Sequence, residues 1–294
     1  QHGLSDNLLR GSRFSDPVFR SGATRNLKGH VAFVYKNAAE IGELGDNTNA
    51  LRTAIRSDEL LHRALAGPES EVVVLGHTRW ASVGVISEPN AHPLDSEELE
   101  DDDGPYVAAV LNGDIDNYAD LIEFHNLKIA PEITTDAKVV PSLVSRKLAK
   151  GTQTIEAFRS TVSAFEGSMA IASHSADEPQ QLSLALRGSG QALYVGIADN
   201  AYVVASEPYG VVEEASQWLR MDGETPANPE QPISTSGQVL QLDAALAGTV
   251  EGITRLAYDG TNLPVLRNEI TKADITTRDI DRGDVPHYLL KEIE

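Results

Sequence analysis

Two kinds of apolar pattern alternate along this chain: short runs rich in β-branched residues and longer stretches with helical spacing. His30-Val31-Ala32-Phe33-Val34-Tyr35 predicts a strand, which Ile41 to Asp46 is expected to continue as a hairpin. Leu51, Ile55, Leu60, Leu61 and Leu65 fall near a helical period and predict a helix over 49–66. Val72 to Leu75 predicts a buried strand over 72–76, and Val107 to Leu111 another over 106–111. Ile115, Tyr118, Leu121, Ile122 and Leu127 place a helix over 115–127. Thr134-Thr135-Asp136 offers capping oxygens ahead of Val139, Val140, Leu143 and Leu148, in a helix that Pro141 is expected to bend. A further amphipathic helix fits 153–166.

From Ser168 the pattern shortens. Strands are expected over 168–173, 181–187, 192–197, 201–205, 237–242 and 252–258, with turns at Gly188-Ser189-Gly190 and Ala198-Asp199-Asn200. Asp284 to Glu294 reads as the start of a helix. Residues 1–30 show no clear period and read as loop, with at most a short helix near Leu8 and Leu9. Strands, then helices, then strands again imply an α+β fold with antiparallel sheets, not alternating βαβ units.

Composition narrows the class. Of 294 residues, 41% are hydrophobic, enough for a sizeable core. The 24 Lys and Arg against 44 Asp and Glu give a net charge of −20, which disfavours nucleic acid and anionic lipid as partners. No apolar run approaches the ~20 residues of a membrane span. There is no cysteine, hence no disulfide, thiolate metal site or thiol nucleophile in this sequence. A cytoplasmic enzyme domain without cofactor is expected. Asp95, Glu97, Glu98, Glu100, Asp101, Asp102 and Asp103 lack the glycine placement of a calcium loop and are expected to stay solvated.

The chemistry concentrates at the ends of the two central apolar runs. Arg79 carries a fixed fork of donors suited to a carboxylate, with the flat wall of Trp80 beside it and the Ser82 hydroxyl nearby. Asn112 brings a side-chain amide, and Gly113 lets a ligand approach a backbone N–H, the two donors an oxyanion hole needs. Asp136 can hold an ammonium. Taken singly, each has a plainer reading: Arg79 a surface ion pair, Trp80 core, Asn112-Gly113 a turn, Asp136 a helix cap. His77 and His92 have no third ligand candidate nearby, so no metal site is expected.

His77-Thr78-Arg79-Trp80-Ala81-Ser82, Asn90-Ala91-His92-Pro93, Asn112-Gly113 with Asp116-Asn117-Tyr118, and Thr135-Asp136 come in an order and spacing that resembles the class II glutamine amidotransferases. The resemblance is closest to the glutaminase domain of the glucosamine-6-phosphate synthase type, and runs from about residue 30 to 294. It implies a four-layer αββα sandwich of the N-terminal-nucleophile hydrolase type, spanning 31–283. Residues 1–30 would be its incomplete first elements, and 284–294 the start of a linker towards isomerase domains.

The resemblance also implies roles. Arg79, helped by Ser82, would grip the α-carboxylate of L-glutamine, and Asp136 its α-ammonium. Asn112 and the Gly113 N–H would form the oxyanion hole, and Trp80 would gate the pocket. Ammonia would pass to a sugar phosphate in isomerase domains, within a homo-oligomeric full-length protein. The family's nucleophile is an N-terminal cysteine, which this sequence does not contain. The expectation is that a short upstream piece carries it and that this chain is inactive alone. The alternative is a degenerate domain that binds glutamine or a related metabolite as a sensor or scaffold.

Overall fold

The computed structural model describes residues 14–27, 29–38, 46–67, 70–79, 81–100, 104–225 and 237–272. The chain divides into two compact units, 1–167 with 171–182, and 168–170 with 183–294.

The first unit opens with a hairpin of β1 (Thr24–Leu27) and β2 (His30–Phe33), paired antiparallel from Thr24↔Phe33 to Leu27↔His30. The second strand is the expected one; the first falls inside the stretch read as loop. Its Arg25 hid it, because a charge in a half-buried strand needs partners that local sequence does not reveal. Here the Arg25 guanidinium donates to the Glu97 carboxylate and to the carbonyls of Phe14 and Asp16. The expected hairpin continuation at 41–46 lies outside the described residues, except Asp46.

The helix expected over 49–66 is two helices, α1 (Asp46–Ser57) and α2 (Glu59–Leu65). Asp58 divides them: its carboxylate accepts from the Leu60 and Leu61 N–H groups at 3.0 and 3.2 Å and restarts the helix as an N-cap. The strand expected over 72–76 does not form. Residues 71–79 have no regular secondary structure, and Val72, Val73 and Val74 are 58%, 42% and 79% exposed. An apolar run specifies a strand only where a neighbouring edge accepts it, and these residues have no ladder partner among the described residues.

Next come β3 (Leu94–Asp95), β4 (Val107–Gly113), α3 (Tyr118–His125), α4 (Val139–Ala149), α5 (Thr154–Val162) and β5 (Met169–Ser175). β3 and β5 flank β4, and Leu94 pairs with Ala109. Val107, Ala109 and Leu111 are buried on one face of β4, while Asn112 emerges exposed at its end. A 3₁₀ turn, Asp136–Lys138, leads into α4. Pro141 sits in the first turn of α4, where a missing N–H forfeits no intrahelical bond. The first seven residues of α4 are all buried, against β4 and α5.

The second unit holds β6 (Gln181–Arg187), most of which lies in it, then β7 (Tyr194–Ala198), β8 (Ala201–Ala205), β9 (Gln217–Arg220), β10 (Gln238–Asp243), β11 (Ile253–Ala257) and β12 (Ile270–Lys272). β6, β10 and β11 lie side by side, and β12-β9-β7-β8 form a four-stranded sheet. The β9 and β12 strands escaped the sequence pattern; both are short, and β9 sets the adjacent buried pair Trp218 and Leu219 between exposed Gln217 and Arg220, without the alternation of a half-buried strand. The strand pairs with described registers are all antiparallel, so the expected α+β class is borne out. The helix expected from Asp284 lies outside the described residues.

The acidic run behaves differently from expectation. Its first half is not solvated but paired to basic side chains. Lys138, with no exposure, places Nζ 2.6 Å from the Asp95 carbonyl, 3.3 Å from Asp95 Oδ1 and 2.8 Å from the Glu97 carbonyl. The Glu98 carboxylate takes a forked pair from Arg146 at 2.6 and 2.7 Å. Residues 101–103 lie outside the described residues.

Lys36 lies near this cluster, 4% exposed, and its Nζ makes no hydrogen bond among the described residues. Burial pulls its pKa from 10.5 down to about 8, against attraction from Asp95 and Glu88 and with repulsion from Lys138. The folded pKa lies below the unfolded one, so between pH 8 and 10.5 the unfolded chain holds the extra proton and stability rises with pH. Lys36→Met is therefore expected to stabilise the protein at pH 7 by about 3 kcal/mol, since each tenfold weakening of proton binding costs ~1.4 kcal/mol. The gap to wild type should close from pH 8 to 10.5, as read by urea unfolding of both proteins. A gap that stays constant with pH would refute this account of Lys36.

Candidate functional site

β4 delivers Asn112 and Gly113 to the end of the sheet, and the positive φ of Gly113 (110°) turns the chain there. Just beyond the turn, the Ile115 N–H donates to Asp136 Oδ2 at 2.9 Å. Asp136 Oδ1 accepts from the Ala137 N–H at 3.0 Å and from the Thr135 hydroxyl at 3.1 Å. The carboxylate is thus held against the turn that follows Gly113. It is 4% exposed, and burial raises its pKa despite those three donors, with the charge of Asp114 adding to the rise. Desolvation outweighs the hydrogen bonds, so a cation placed here would be favoured.

Arg79 is half-buried. Its guanidinium donates to the Val85 carbonyl at 3.4 Å and to that of Val83. Burial lowers its pKa, and the charge of Asp136 acts in the opposite direction. Arg79 therefore feels the charge of Asp136. The Ser82 hydroxyl donates to the Asp114 carboxylate, not to Arg79. Trp80 lies outside the described residues. Of the six residues selected from sequence, the structure gathers Arg79, Ser82, Asn112, Gly113 and Asp136 at one end of β4.

What holds them is a residue given no role at the sequence level. Asn90 is fully buried. Its amide nitrogen donates to the Val85 carbonyl at 3.2 Å, the Ser87 hydroxyl at 3.0 Å and the Thr134 hydroxyl at 3.1 Å. Its oxygen accepts from the N–H groups of Thr134 and Thr135 at 2.7 and 3.1 Å. One side chain thereby clamps the loop after Arg79 to the segment that carries Asp136. Membership in the Asn-Ala-His-Pro block was the only signal for it.

His92 of the same block accepts from the Leu111 N–H at 3.3 Å through Nδ1, and its ring lies 4.5 Å from that of His77. Burial, then the charges of His77, Arg79 and Lys36, keep its pKa well below 6.5, so it is a neutral strut beside β4. Among the described residues, no group of three or more His, Asp or Glu is placed to hold a metal ion. A separate cleft of about 460 Å³ opens between the β1–β2 hairpin and the α1–α2 helices, lined by Tyr35 and Asp58 among others, away from Arg79 and Asn112. No helix among the described residues is long and apolar enough to cross a membrane.

The chain is thus of the α+β class, with a half-buried guanidinium, an Asn-Gly turn at the end of β4 and a buried carboxylate held against that turn. Whole-sequence comparison makes this specific: its homologues are isomerising glutamine–fructose-6-phosphate aminotransferases, and the resemblance carried by the motifs is borne out. It is 32% identical to the Geobacillus kaustophilus protein of that name over 234 residues, 79% of this chain and 34% of the relative. With the Bacillus subtilis protein it shares 32% identity over 220 residues, 75% of this chain and 32% of the relative. The chain thus spans about a third of the length of these relatives. Among solved structures it is similar to a glutamine phosphoribosylpyrophosphate amidotransferase from B. subtilis, with 20% identity, a TM-score of 0.44, and coverage of 62% of this chain and 34% of that one. No protein-family model matches the chain.

Proposed function

We propose that this chain is the glutamine-binding part of a longer amidotransferase, and that residues 31–283 make up its amidotransferase domain. Arg79 takes the α-carboxylate of L-glutamine, Asp136 its α-ammonium, and Ser82 assists at the carboxylate. The Asn112 amide and the Gly113 N–H face the side-chain carbonyl as oxyanion donors. Trp80 closes the pocket. In the longer protein, glutamine hydrolysis supplies ammonia to a sugar-phosphate acceptor, as the name of the relatives suggests, in a homo-oligomeric, cytoplasmic enzyme.

The observation that most supports this reading is the Asp136 carboxylate held against the turn after Gly113 by the Ile115 N–H, with its charge acting on the Arg79 guanidinium. A cation receptor at Asp136 and an anion receptor at Arg79, together with the Asn112 and Gly113 donors, complement an α-amino acid with a reactive carbonyl. The sequence holds no cysteine to act as nucleophile, so the second reading is a pocket that binds without turnover.

Calorimetric titration of the chain with L-glutamine tests the pocket. Saturable one-to-one binding is expected, with no ammonia released. If glutamine gives no binding signal, the pocket reading fails. Ammonia release by the full-length protein in the presence of fructose 6-phosphate separates the enzyme from the sensor.

A further inference from the structure

We propose that Lys36, His77 and His92 form a buried site for a small monovalent anion, chloride being the simplest. Lys36 Nζ, His77 Nδ1 and His92 Nε2 are all enclosed, and none has a hydrogen-bond partner among the described residues.

Lys36 is 4% exposed and His92 8%. Three residues beyond β2, the Lys36 N–H donates to the Ser21 hydroxyl at 3.0 Å, which fixes the backbone from which this side chain enters the interior. The Leu111 N–H donates to His92 Nδ1 at 3.3 Å, so that nitrogen carries no proton. Burial holds the ring neutral, and its one proton therefore sits on Nε2, a donor without an acceptor. The His77 ring lies 4.5 Å from it, tilted by 34°, and brings a third nitrogen beside it.

An ammonium and an imidazole N–H buried without acceptors are costly, and an anion shared between them removes the cost at both. The charge of Lys36 acts on the His92 ring, as does that of Arg79. Asp95 and Glu88 attract Lys36, but each already has another donor: Lys138 Nζ at 3.3 Å from Asp95 Oδ1, and the Ser21 N–H at Glu88. Lys138 itself repels Lys36. One ammonium and two neutral rings, with two carboxylates nearby, favour a single negative charge over a divalent oxyanion. Neither the cleft of about 460 Å³ nor a second of about 250 Å³ beside Glu98 and Arg146 is lined by these residues, which suits an ion and not an organic molecule.

A water shared by Lys36 and Asp95 Oδ2, which also has no partner among the described residues, is the other way to satisfy the ammonium, and it carries no preference among anions.

The experiment follows thermal unfolding of the full chain at pH 7 in sodium chloride and in sodium gluconate of equal ionic strength. Wild type is expected to gain stability saturably with chloride and not with gluconate. At ten times the chloride dissociation constant the folded state is favoured about elevenfold, a rise of about 3–6 °C in Tm. Lys36→Met removes the charged donor of the site and should abolish the chloride-specific rise, whereas Lys150→Met, at an exposed lysine, should keep it. Crystals soaked in sodium bromide should show anomalous scattering beside Lys36 Nζ and His92 Nε2. Equal responses of wild type to chloride and gluconate, or a chloride response that survives in Lys36→Met, overturn the site and leave water to serve these donors. Bromide found only at the surface overturns it as well.

Discussion

Arg79→Ala is expected to weaken glutamine binding by about 100-fold, the loss of a forked pair of charge-assisted hydrogen bonds. Burial disfavours the guanidinium charge, and Asp136 offsets this only in part. On the proposed reading, a ligand carboxylate supplies the missing counter-charge. The effect should be on affinity and not on folding, although Arg79 also donates to the carbonyls of Val83 and Val85. Asn90 holds the Val85 carbonyl independently, so the loop keeps an anchor when the guanidinium is removed. Arg79→Lys keeps the charge but not the fork, and an intermediate loss of about tenfold is expected. Calorimetry on the three proteins measures the series. Equal glutamine affinity in wild type and Arg79→Ala would remove Arg79 from the site.

Lys138→Met is expected to cost about 3–5 kcal/mol of stability, because it strands a buried carboxylate and leaves two carbonyls without their donor. The side chains of Lys138 and Asp95 are 1% and 5% exposed, so water cannot take the place of the lost ammonium. Removing one partner of a buried pair costs far more than the pair contributes net, which is the physical basis for the size of the effect. The double variant Lys138→Met with Asp95→Leu should recover much of the loss. Lys138 also belongs to the 3₁₀ turn that begins at Asp136, so the single variant should loosen that carboxylate and weaken glutamine binding. Urea unfolding at pH 7 measures the first effect and calorimetry the second. A loss under about 1 kcal/mol would mean that Lys36 or solvent takes over the Asp95 charge.

Legibility from sequence followed the range of the interactions. Where the pattern was local the elements came out as expected: β6 and β8 have the predicted bounds, and β4 runs into Asn112-Gly113 as the turn signature implied. Where a local pattern needed a remote partner it misled. Val72 to Val74 is as apolar as any strand of the chain, yet it pairs with nothing among the described residues and is exposed. The division of the 49–66 helix lay in Asp58, whose capping role is visible only once its carboxylate is seen to accept two N–H groups.

The candidate site shows the same split. By itself the sequence determined the residue types: an arginine, a serine, an Asn-Gly turn and an aspartate, in an order that carries a family resemblance. The tertiary structure decided which groups each one meets. It gave Ser82 to Asp114 and left Asp136 enclosed by backbone donors. It made Asn90 the clamp between two loops. It also turned the acidic run from a solvated loop into ion partners for Arg25, Lys138 and Arg146, which lie 72, 43 and 48 residues away along the chain. The reason is physical. Periodicity records which face of an element is apolar, and that information is local. Whether a charged or polar side chain is solvated, paired or aimed at a ligand depends on groups that only folding brings within a few ångströms.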